Sequence, residues 1–439
     1  MKSDGKPTHI RYWILFLLFV VSTISYADRT VLSIAARDVT KALEIDAAQL
    51  GYVFSAFAWS YALAQIPGGF LLDRFGARLV YTMALTLWSL FTLFQGLAGF
   101  LVGGSAVIFL FVMRFIVGLA SAPGVPANAR IVANWFPTAE RGTASAIFNS
   151  TQYFAVFAFN PLLAFIVRDL GWPASFYFMG GIGLLAALVF VRFMNGPTRH
   201  PMINKAEFDY IEANGALVHI EDKGAPSSAA FTWSNVKQVL ANRMFVGIYL
   251  GQYCINVLTY FFITWFPVYL MQQRHMDIIH AGIWSGVPAL FGFIGGVLGG
   301  VISDFLLKRT GSVTFARKTP LLLGMLLATL IVACNYTDSQ VLVIVFMSCA
   351  FFGKGVAALG WAVISDTSPK QLIGVTGGIF NMAGNIAGIV TPIVFGYIVK
   401  ETGSYDLGLW FVGAHCILTI MAYFLVTQKI ERLELKPAQ

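Results

Sequence analysis

The sequence has few charged residues and few cysteines. Charged residues make up 11% of the 439 positions and hydrophobic residues 57%, whereas soluble domains have about 25% charged residues. This composition excludes one or two ordinary water-soluble domains. The four cysteines lie within apolar runs and show no metal-ligand spacing. We therefore expect neither a disulfide framework nor a metal site, and no cofactor.

Long apolar runs take the place of charge. About 20 apolar residues cross the hydrocarbon core of a bilayer, and the first run is too long for the apolar part of a signal peptide. The sequence thus predicts an all-α membrane protein with twelve transmembrane helices. The predicted spans are residues 12–34, 48–72, 79–100, 104–128, 141–167, 172–193, 243–271, 280–306, 317–336, 339–363, 372–398 and 405–427.

One long polar stretch divides these spans six and six. We predict an N-terminal six-helix bundle (1–194), a cytoplasmic inter-bundle linker (195–242) and a C-terminal six-helix bundle with a cytoplasmic tail (243–439). With both termini in the cytoplasm, the inside loops and tails hold 21 Lys and Arg, the outside loops hold five, and three lie within spans. This bias follows the positive-inside rule. The net charge of +8 therefore indicates membrane sidedness rather than nucleic-acid binding.

The two groups of spans contain a repeat. Gly51, Gly68, Gly69 and Asp73 recur at an offset of 231 as Gly282, Gly299, Gly300 and Asp304, and Asn149 recurs at an offset of 232 as Asn381. Isolated glycine matches arise by chance in a chain with 42 glycines, but these ordered matches include Asp and Asn. A parallel repeat of this kind predicts a binding site between the bundles, near the membrane midplane.

Four ionisable residues lie within predicted spans: Asp28, Arg29, Arg114 and Lys354. Each costs about 2.5–3.5 kcal/mol at mid-bilayer, which favours a functional role in a wet cavity. Three cations against one anion predict an anionic ligand, since arginine can bind a carboxylate through two hydrogen bonds. A structural role is also open: Asp28 could pair with Arg114 or Lys354, and Lys354 could instead pair with Asp366.

Neutral hydrogen-bonding residues surround these charges in the predicted spans. Each one alone could equally be an inter-helix contact, but together they suggest a hydroxyl-rich acid, because unpaired buried hydroxyls cost about 1–3 kcal/mol. This set comprises Tyr26, Tyr61, Asn149, Gln152, Gln252, Asn256, Tyr260, Trp361, Asn381 and Asn385.

The turn after the second span reads GGFLLDRFGAR (68–78), and a degenerate copy stands at 299–309. This pattern resembles the cytoplasmic-loop signature of the major facilitator superfamily, which implies that fold for nearly the whole chain. The resemblance further implies that Gly69, Asp73, Arg74 and Asp304 belong to a gate that latches the two bundles in the outward-facing state. A simple charged turn is the alternative.

The segments SYADRT (25–30), 114–130 and 135–142 look like those of the anion:cation symporters in this superfamily. The segments at 351–355, 360–366 and 377–381 are similar to bacterial glucarate/galactarate transporters. The resemblance implies proton-driven import of sugar diacids across the bacterial inner membrane, with both termini cytoplasmic. Asp28 would be the proton-coupling acid. Substrate would contact Tyr26, Arg29, Tyr61, Arg114, Asn149, Gln152, Gln252, Asn256, Lys354, Trp361 and Asn381.

One departure is Ser121, which stands where relatives often carry a glutamate, so that proton stoichiometry is open. Lys354 suits a ligand with a carboxylate at each end, although an importer of a monocarboxylate such as an aldonate or hexuronate is the alternative. The sequence shows no carboxylate/histidine or serine/histidine cluster of the kind that a membrane-embedded enzyme would need. It also shows no sizeable soluble output domain of the kind that a sensor would need. We therefore expect a monomeric transporter, not an enzyme, with an organic anion, protons and lipid as its partners.

Overall fold

The computed structural model describes residues 7–138, 140–219, 233–369 and 372–435, without the side chains at positions 66, 73, 233–235, 373 and 374. These ranges contain helices and no strand. The N half comprises α1 (Ile10–Leu43), α2 (Ala47–Phe75), α3 (Ala77–Gln95), α4 (Gly103–Ser121), α5 (Gly124–Trp135), α6 (Arg141–Leu170) and α7 (Trp172–Phe193). Two short helices follow, α8 (Lys205–Ala213) and α9 (Trp233–Ala241). The C half comprises α10 (Arg243–Thr264), α11 (Phe266–Gln272), α12 (Ile278–Thr310), α13 (Val313–Ala328), α14 (Gln340–Val356), α15 (Gly360–Thr367), α16 (Ile373–Thr402) and α17 (Asp406–Met421).

Eleven helical segments of the described chain are long and apolar enough to cross a membrane. The remaining predicted span corresponds to α2, whose 29 residues exceed the length that a bilayer core requires. It packs against α4 of its own half and α16 of the other half. The predicted division into residues 1–194, 195–242 and 243–439 falls close to the end of α7 and the start of α10, and stays a prediction.

Three spans that the sequence predicts as continuous are interrupted. The fourth breaks between α4 and α5, where Pro123 stands, and the seventh breaks between α10 and α11, just before Pro267. Proline lacks the N–H that a helix interior requires and clashes with the preceding turn. The tenth breaks between α14 and α15, after Val356 and two residues beyond Lys354. The fourth and tenth spans are repeat counterparts, and interrupted spans at corresponding positions indicate a binding site between the halves.

The glycines of the repeat allow the two halves to touch through their backbones. A Cβ at Gly51 of α2 would lie 2.5 Å from the Pro392 carbonyl oxygen of α16. A Cβ at Gly282, its counterpart on α12, would lie 3.0 Å from the Asn160 carbonyl oxygen of α6. Each half thus places its second span against the fifth span of the other half. Larger residues at these positions would force the halves apart.

An ion pair closes one end of this interface, which we call the latch face. Asp46 precedes α2 and accepts a hydrogen bond from the Gln49 amide at 2.8 Å through Oδ1. Its Oδ2 lies 3.1 Å from Lys400 Nζ near the end of α16. Burial alone would raise the pKa of Asp46, but the Gln49 amide and Lys400 outweigh burial and lower it. Tyr52 and Tyr397 share a hydrogen bond of 2.9 Å beside this pair.

The repeat places a second acid and a second base at the latch face, but each of them binds a neighbour in its own half. Asp277 and Arg168 occupy positions 231 and 232 residues from Asp46 and Lys400, respectively, and interact electrostatically across the halves. Arg168 Nε, however, binds the neighbouring Asp169 at 2.6 Å, and Asp277 contacts His280. Closure of the latch face therefore depends more on the Asp46–Lys400 pair than on its counterpart.

The opposite end, the linker face, is the end at which α1, α6 and α16 begin and α2 and α12 finish. Hydrogen bonds and ion pairs between described residues join the two halves. Asp46–Lys400 lies nearest the latch face, and Gln65–Asn381 lies nearest the linker face. Phe70 of α2 and Phe305 of α12 are 76% and 57% exposed there. The halves are thus joined at the latch face and parted at the linker face.

The segment after α7 is bound to the N half. Glu207 of α8 is fully buried and accepts hydrogen bonds from the Thr8 hydroxyl (2.6 Å) and the Ile10 amide (2.9 Å), and from the amide and guanidinium of Arg11. Burial would raise the pKa of Glu207, but these donors lower it. At residue 217 the chain still bonds to the Ala133 carbonyl. Residues 195–217 are therefore attached to the N half and would move with it.

We expect reversal of the latch charge to open the latch face. Lys400→Glu sets two carboxylates against each other at an exposed site, where charge pairs are worth about 0.2–1 kcal/mol, so the ratio of closed to open molecules should fall about two- to fivefold. Spin labels on the exposed Lys41→Cys and Asp338→Cys measure this as a longer distance distribution.

Two further variants are matched controls. Asp46→Asn added to Lys400→Glu keeps the helix cap, because Asn caps as well as Asp, and should restore the distances. Arg168→Gln should change them little, since Arg168 is bound within its own half. Equal opening by Arg168→Gln and Lys400→Glu would contradict the asymmetry of the latch.

Candidate functional site

The predicted ionisable residues lie deep in the membrane domain. Asp28 and Arg29 occupy the middle of the 34-residue α1, Arg114 lies in α4 and Lys354 at the end of α14. Asp28, Arg114 and Lys354 are 6%, 5% and 6% exposed, respectively. Both halves therefore contribute buried cations next to the interface between them.

Asp28 is the carboxylate of this group. It interacts electrostatically with Arg114 and Arg29, and the Thr92 hydroxyl lies beside it. Among the described residues it forms no ion pair within 4.0 Å. The predicted alternative of a tight structural Asp28–Arg114 pair is thus not what the structure shows. The carboxylate influences both arginines without occupying either guanidinium.

Arg29 is held by aromatic rings. Its Cζ lies 4.7 Å from the centroid of the Tyr26 ring, 4.6 Å from Phe57 and 5.2 Å from Tyr61. The buried Nε atoms of Arg29 and Arg114 have no hydrogen-bond partner. A buried donor without a partner costs about 1–3 kcal/mol, more when charged. Both guanidiniums therefore retain capacity for an anion.

Lys354 has aromatic neighbours as well. Its Nζ lies 5.7 Å from the centroid of the Tyr153 ring and 5.2 Å from that of Phe351. No described carboxylate pairs with it: Asp366, the alternative partner, instead binds Arg317 Nε at 2.8 Å. The prediction of a possible Lys354–Asp366 pair is wrong, because Arg317 occupies the carboxylate. Lys354 is a buried cation without a counter-charge in the described chain.

A chain of hydrogen bonds crosses between the halves. The Tyr260 hydroxyl donates to Asn385 Oδ1 at 2.8 Å, Asn385 Nδ2 donates to the Asn381 carbonyl at 2.8 Å, and Asn381 Nδ2 donates to Gln65 Oε1 at 2.7 Å. Tyr260 also interacts electrostatically with Arg29. Amides and hydroxyls from α2, α10 and α16 thus extend from the cationic centre. Gln65 Nε2 is buried and has no partner.

Gln252 and Asn256 of α10 face α16 at a glycine. A Cβ at Gly384 would lie 2.2 Å from Asn256 Nδ2 and 3.2 Å from Gln252 Nε2. Trp361 follows the break between α14 and α15, is 57% exposed and stands edge-on to Phe380 with ring centroids 5.2 Å apart. The predicted polar set of the C half is thus assembled along α16.

Two predicted residues of the N half lie apart from these contacts. Gln152 Nε2 donates to the Asn149 carbonyl within α6 at 3.2 Å, and Asn149 is exposed. The hydrogen bond described for this pair therefore stays within α6 and does not involve the cations. Their role in substrate binding stays a prediction, and it is the next residue, Tyr153, that contacts Lys354.

Comparison with known proteins matches this architecture to one superfamily. The sequence matches the Major Facilitator Superfamily over residues 18–332 and 305–439. The chain belongs to the major facilitator superfamily. It is 51% identical over 437 residues, 99% of this chain and 97% of the relative, to the "Probable galactarate/D-glucarate transporter GudP" of Escherichia coli K12. It is 37% identical to the "D-galactonate transporter" of Escherichia coli O6:H1, covering 98% of this chain and 99% of that one.

A solved structure shares the fold. A bacterial homolog of the human lysosomal transporter Spinster superimposes with a TM-score of 0.72 at 19% identity, covering 96% of this chain and 97% of that chain. The predicted fold class, an all-α membrane protein with two helix bundles, is confirmed. Fold and relatives alike are those of superfamily transporters rather than enzymes.

The loops that carry the superfamily signature are arranged within each half. Asp304 Oδ1 lies 3.1 Å from Arg317 Nη1, and Arg317 Nε binds Asp366. Arg74 is exposed, and its Cζ lies 5.3 Å from the Phe75 ring centroid. A Cβ at Gly69 would have no neighbour within 4 Å, and the side chain of Asp73 lies outside the described residues. The role of this set as a gate between the bundles stays a prediction, since the ion pair of Asp304 lies within the C half.

Gln65 and Tyr153 are functional candidates that the sequence reasoning missed. Gln65 lies one helical turn beyond Tyr61, and residues four apart share a helix face. Tyr153 directly follows Gln152, but an aromatic residue within a span normally indicates packing. The helical-face rule could have found Gln65; no spacing rule would have linked Tyr153 to Lys354, 201 residues away.

We expect Gly384→Ala to weaken substrate binding without unfolding the protein. The new methyl group displaces the ends of the flexible Asn256 and Gln252 side chains rather than backbone. Loss of one or two hydrogen bonds should raise the Kd about tenfold. Isothermal titration calorimetry on the purified protein measures this change. Gly378→Ala on the same helix is the matched control, since a Cβ there has no neighbour within 4 Å, and an equal loss in both variants would contradict the assignment.

Proposed function

We propose that this superfamily member imports sugar diacids of the glucarate/galactarate class by alternating access, with protons as the coupling ion. The observation that carries the proposal is the surplus of cations deep in the membrane domain. Arg114 and Lys354 are buried and Arg29 is half-buried, Asp28 is the buried carboxylate that interacts with the two arginines, and both arginine Nε atoms lack partners. The relative that is 51% identical over almost the full length supports the same substrate class.

Sidedness follows from loop charge. The linker face holds the Lys- and Arg-rich loops, so the positive-inside rule assigns it to the cytoplasm. Both chain ends would then lie in the cytoplasm, and the arrangement with a joined latch face and a parted linker face would be inward-facing. The lipid would be that of the bacterial inner membrane, and the protein would act as a monomer.

The substrate would bridge the two halves through its two ends. One carboxylate would bind the guanidiniums of Arg29 and Arg114, and the other would bind the Lys354 ammonium, because opposite charges that are removed from water attract strongly. Hydroxyl groups between the ends would meet the amides of Asn381 and Gln252. A ligand held this way favours an occluded state, since both halves must approach it.

Asp28 would couple the proton. Deprotonated, it attracts the neighbouring arginines; protonated, it releases them for a substrate carboxylate, so that proton and anion favour the same state. Ser121 cannot exchange a proton and donates its hydroxyl to the Val117 carbonyl at 2.8 Å. Asp366 is occupied by Arg317. Asp28 is thus the described acid best placed among the cations for this role.

One proton per dianion leaves a net charge of −1 to be moved inward. An inside-negative potential opposes this by about 2.3 kcal/mol per 100 mV, whereas a pH gradient returns about 1.4 kcal/mol per unit. Import of a dianion against this potential would therefore require a second proton, bound at another acid or carried by the substrate, in addition to the one that Asp28 supplies.

The charge-removing variant Asp28→Asn tests proton coupling. Without a titrating group, the carrier should still exchange bound substrate, so counterflow in proteoliposomes should persist within about tenfold, while accumulation driven by a pH gradient should disappear. Counterflow with external and internal glucarate measures the first activity, and uptake against a gradient measures the second. A variant that still concentrates glucarate shows that Asp28 is not the coupling acid.

The second candidate is an importer of a monocarboxylate sugar acid, which the 37% identical D-galactonate transporter favours. Lys354→Asn separates the two. If Lys354 binds a second carboxylate, glucarate uptake should fall at least tenfold, whereas gluconate or galactonate uptake should change less than threefold. Wild-type protein that binds galactonate but no diacid in a thermal-shift screen would support the second candidate.

A further inference from the structure

Lys354 is buried, and its ammonium lies beside two aromatic rings. Phe351 lies three residues earlier on the same helix, α14, while Tyr153 comes from α6 of the N half. Cation–π attraction compensates only a part of what a buried cation loses on leaving water. The ammonium therefore has more to gain from a carboxylate than an exposed lysine would have.

Tyr153 crosses from one half into the other. Its ring centroid lies 6.2 Å from Phe293 and 6.2 Å from Phe351, both in the C half. The ring fits there because residue 292 is glycine: a Cβ at Gly292 would lie 3.1 Å from Tyr153 Cε1. The position of the ring is thus fixed by packing on three sides.

Tyr153 is also near a residue that contacts the arginine centre. It interacts electrostatically with Tyr26, and the Tyr26 ring in turn lies 4.7 Å from Arg29 Cζ. A lysine stem has four flexible carbons and the ammonium no preferred direction. A rigid ring beside it therefore decides where the charge is held relative to the arginines.

We propose that Tyr153 is a positioning residue that holds the Lys354 ammonium at the place of the second carboxylate and thereby sets the preference for diacids over monoacids. This inference rests on the proposed function, since it assumes a dianionic substrate between Lys354 and the arginines. The face of the ring carries the effect, and the phenolic hydroxyl does not. Because Tyr153 and Lys354 belong to different halves, the position is defined only when α6 and α14 are in contact.

The test compares Tyr153→Leu with Tyr153→Phe in the purified full-length protein. Calorimetric titration with galactarate and galactonate gives a ratio of the two affinities. Leu removes the ring, so this ratio should fall about five- to tenfold, whereas Phe keeps the ring and should leave it within about twofold. If Leu lowers the yield of folded protein, Tyr153→Met, which fills irregular gaps, replaces it.

A double-mutant cycle separates positioning from mere packing. In the Lys354→Met background, Tyr153→Leu should no longer change the ratio, because the charge that the ring positions is absent. An unchanged effect in that background overturns the proposal, as does an equal loss for both ligands in Tyr153→Leu or a Phe variant that behaves like Leu. If wild-type protein binds neither galactarate nor glucarate, it is the proposed function that fails, before any variant is compared.

Discussion

The structure is organised around positive charge that has been taken out of water without enough negative charge to balance it. Arg114 and Lys354 are nearly fully buried, and Asp28 pairs directly with none of the described cations. Such a site can be stabilised by aromatic faces, by a ligand, or by water between the halves. Rings of Tyr26, Phe57 and Tyr61 around Arg29 supply the first, and the deficit that remains makes an anion the natural occupant.

The repeat explains why this charge can be reached and then enclosed. Each half contributes a second span whose glycine touches the fifth span of the other half, at Gly51 and Gly282. These two close backbone contacts hold the halves against each other on the side of the latch face. The acidic cap and basic helix end at Asp46 and Lys400 add an ion pair, whose counterpart at Arg168 is engaged locally. The two halves are thus related by a repeat, but the ion pair that joins them at the latch face forms at only one of the two equivalent positions.

Much of this was predictable from sequence, and the exceptions have physical reasons. Spans, the repeat and the buried cations follow from hydropathy and spacing, because a bilayer excludes almost every other arrangement. The interruptions after Ser121 and Val356 were missed, since the apolar runs continue through them. The commitment of Asp366 to Arg317 was also invisible, because the partners are 49 residues apart. Tyr153 was missed for the same reason: contacts across the halves leave no local pattern.

The contacts between the two halves are therefore the ones that would change when the halves move. At the linker face, residues 195–217 are bound to the N half through Glu207, and the C-terminal tail is bound to the C half, where the Leu433 amide donates to the Thr367 carbonyl. These attachments favour movement of each half as a unit. The interactions that change when the halves rock are then the few that cross between them near the cations, above all Asn381 with Gln65 and Lys354 with Tyr153. A ligand that strengthens these contacts would stabilise one arrangement of the halves over the other, so the proposed selectivity and the conformational change would depend on the same side chains.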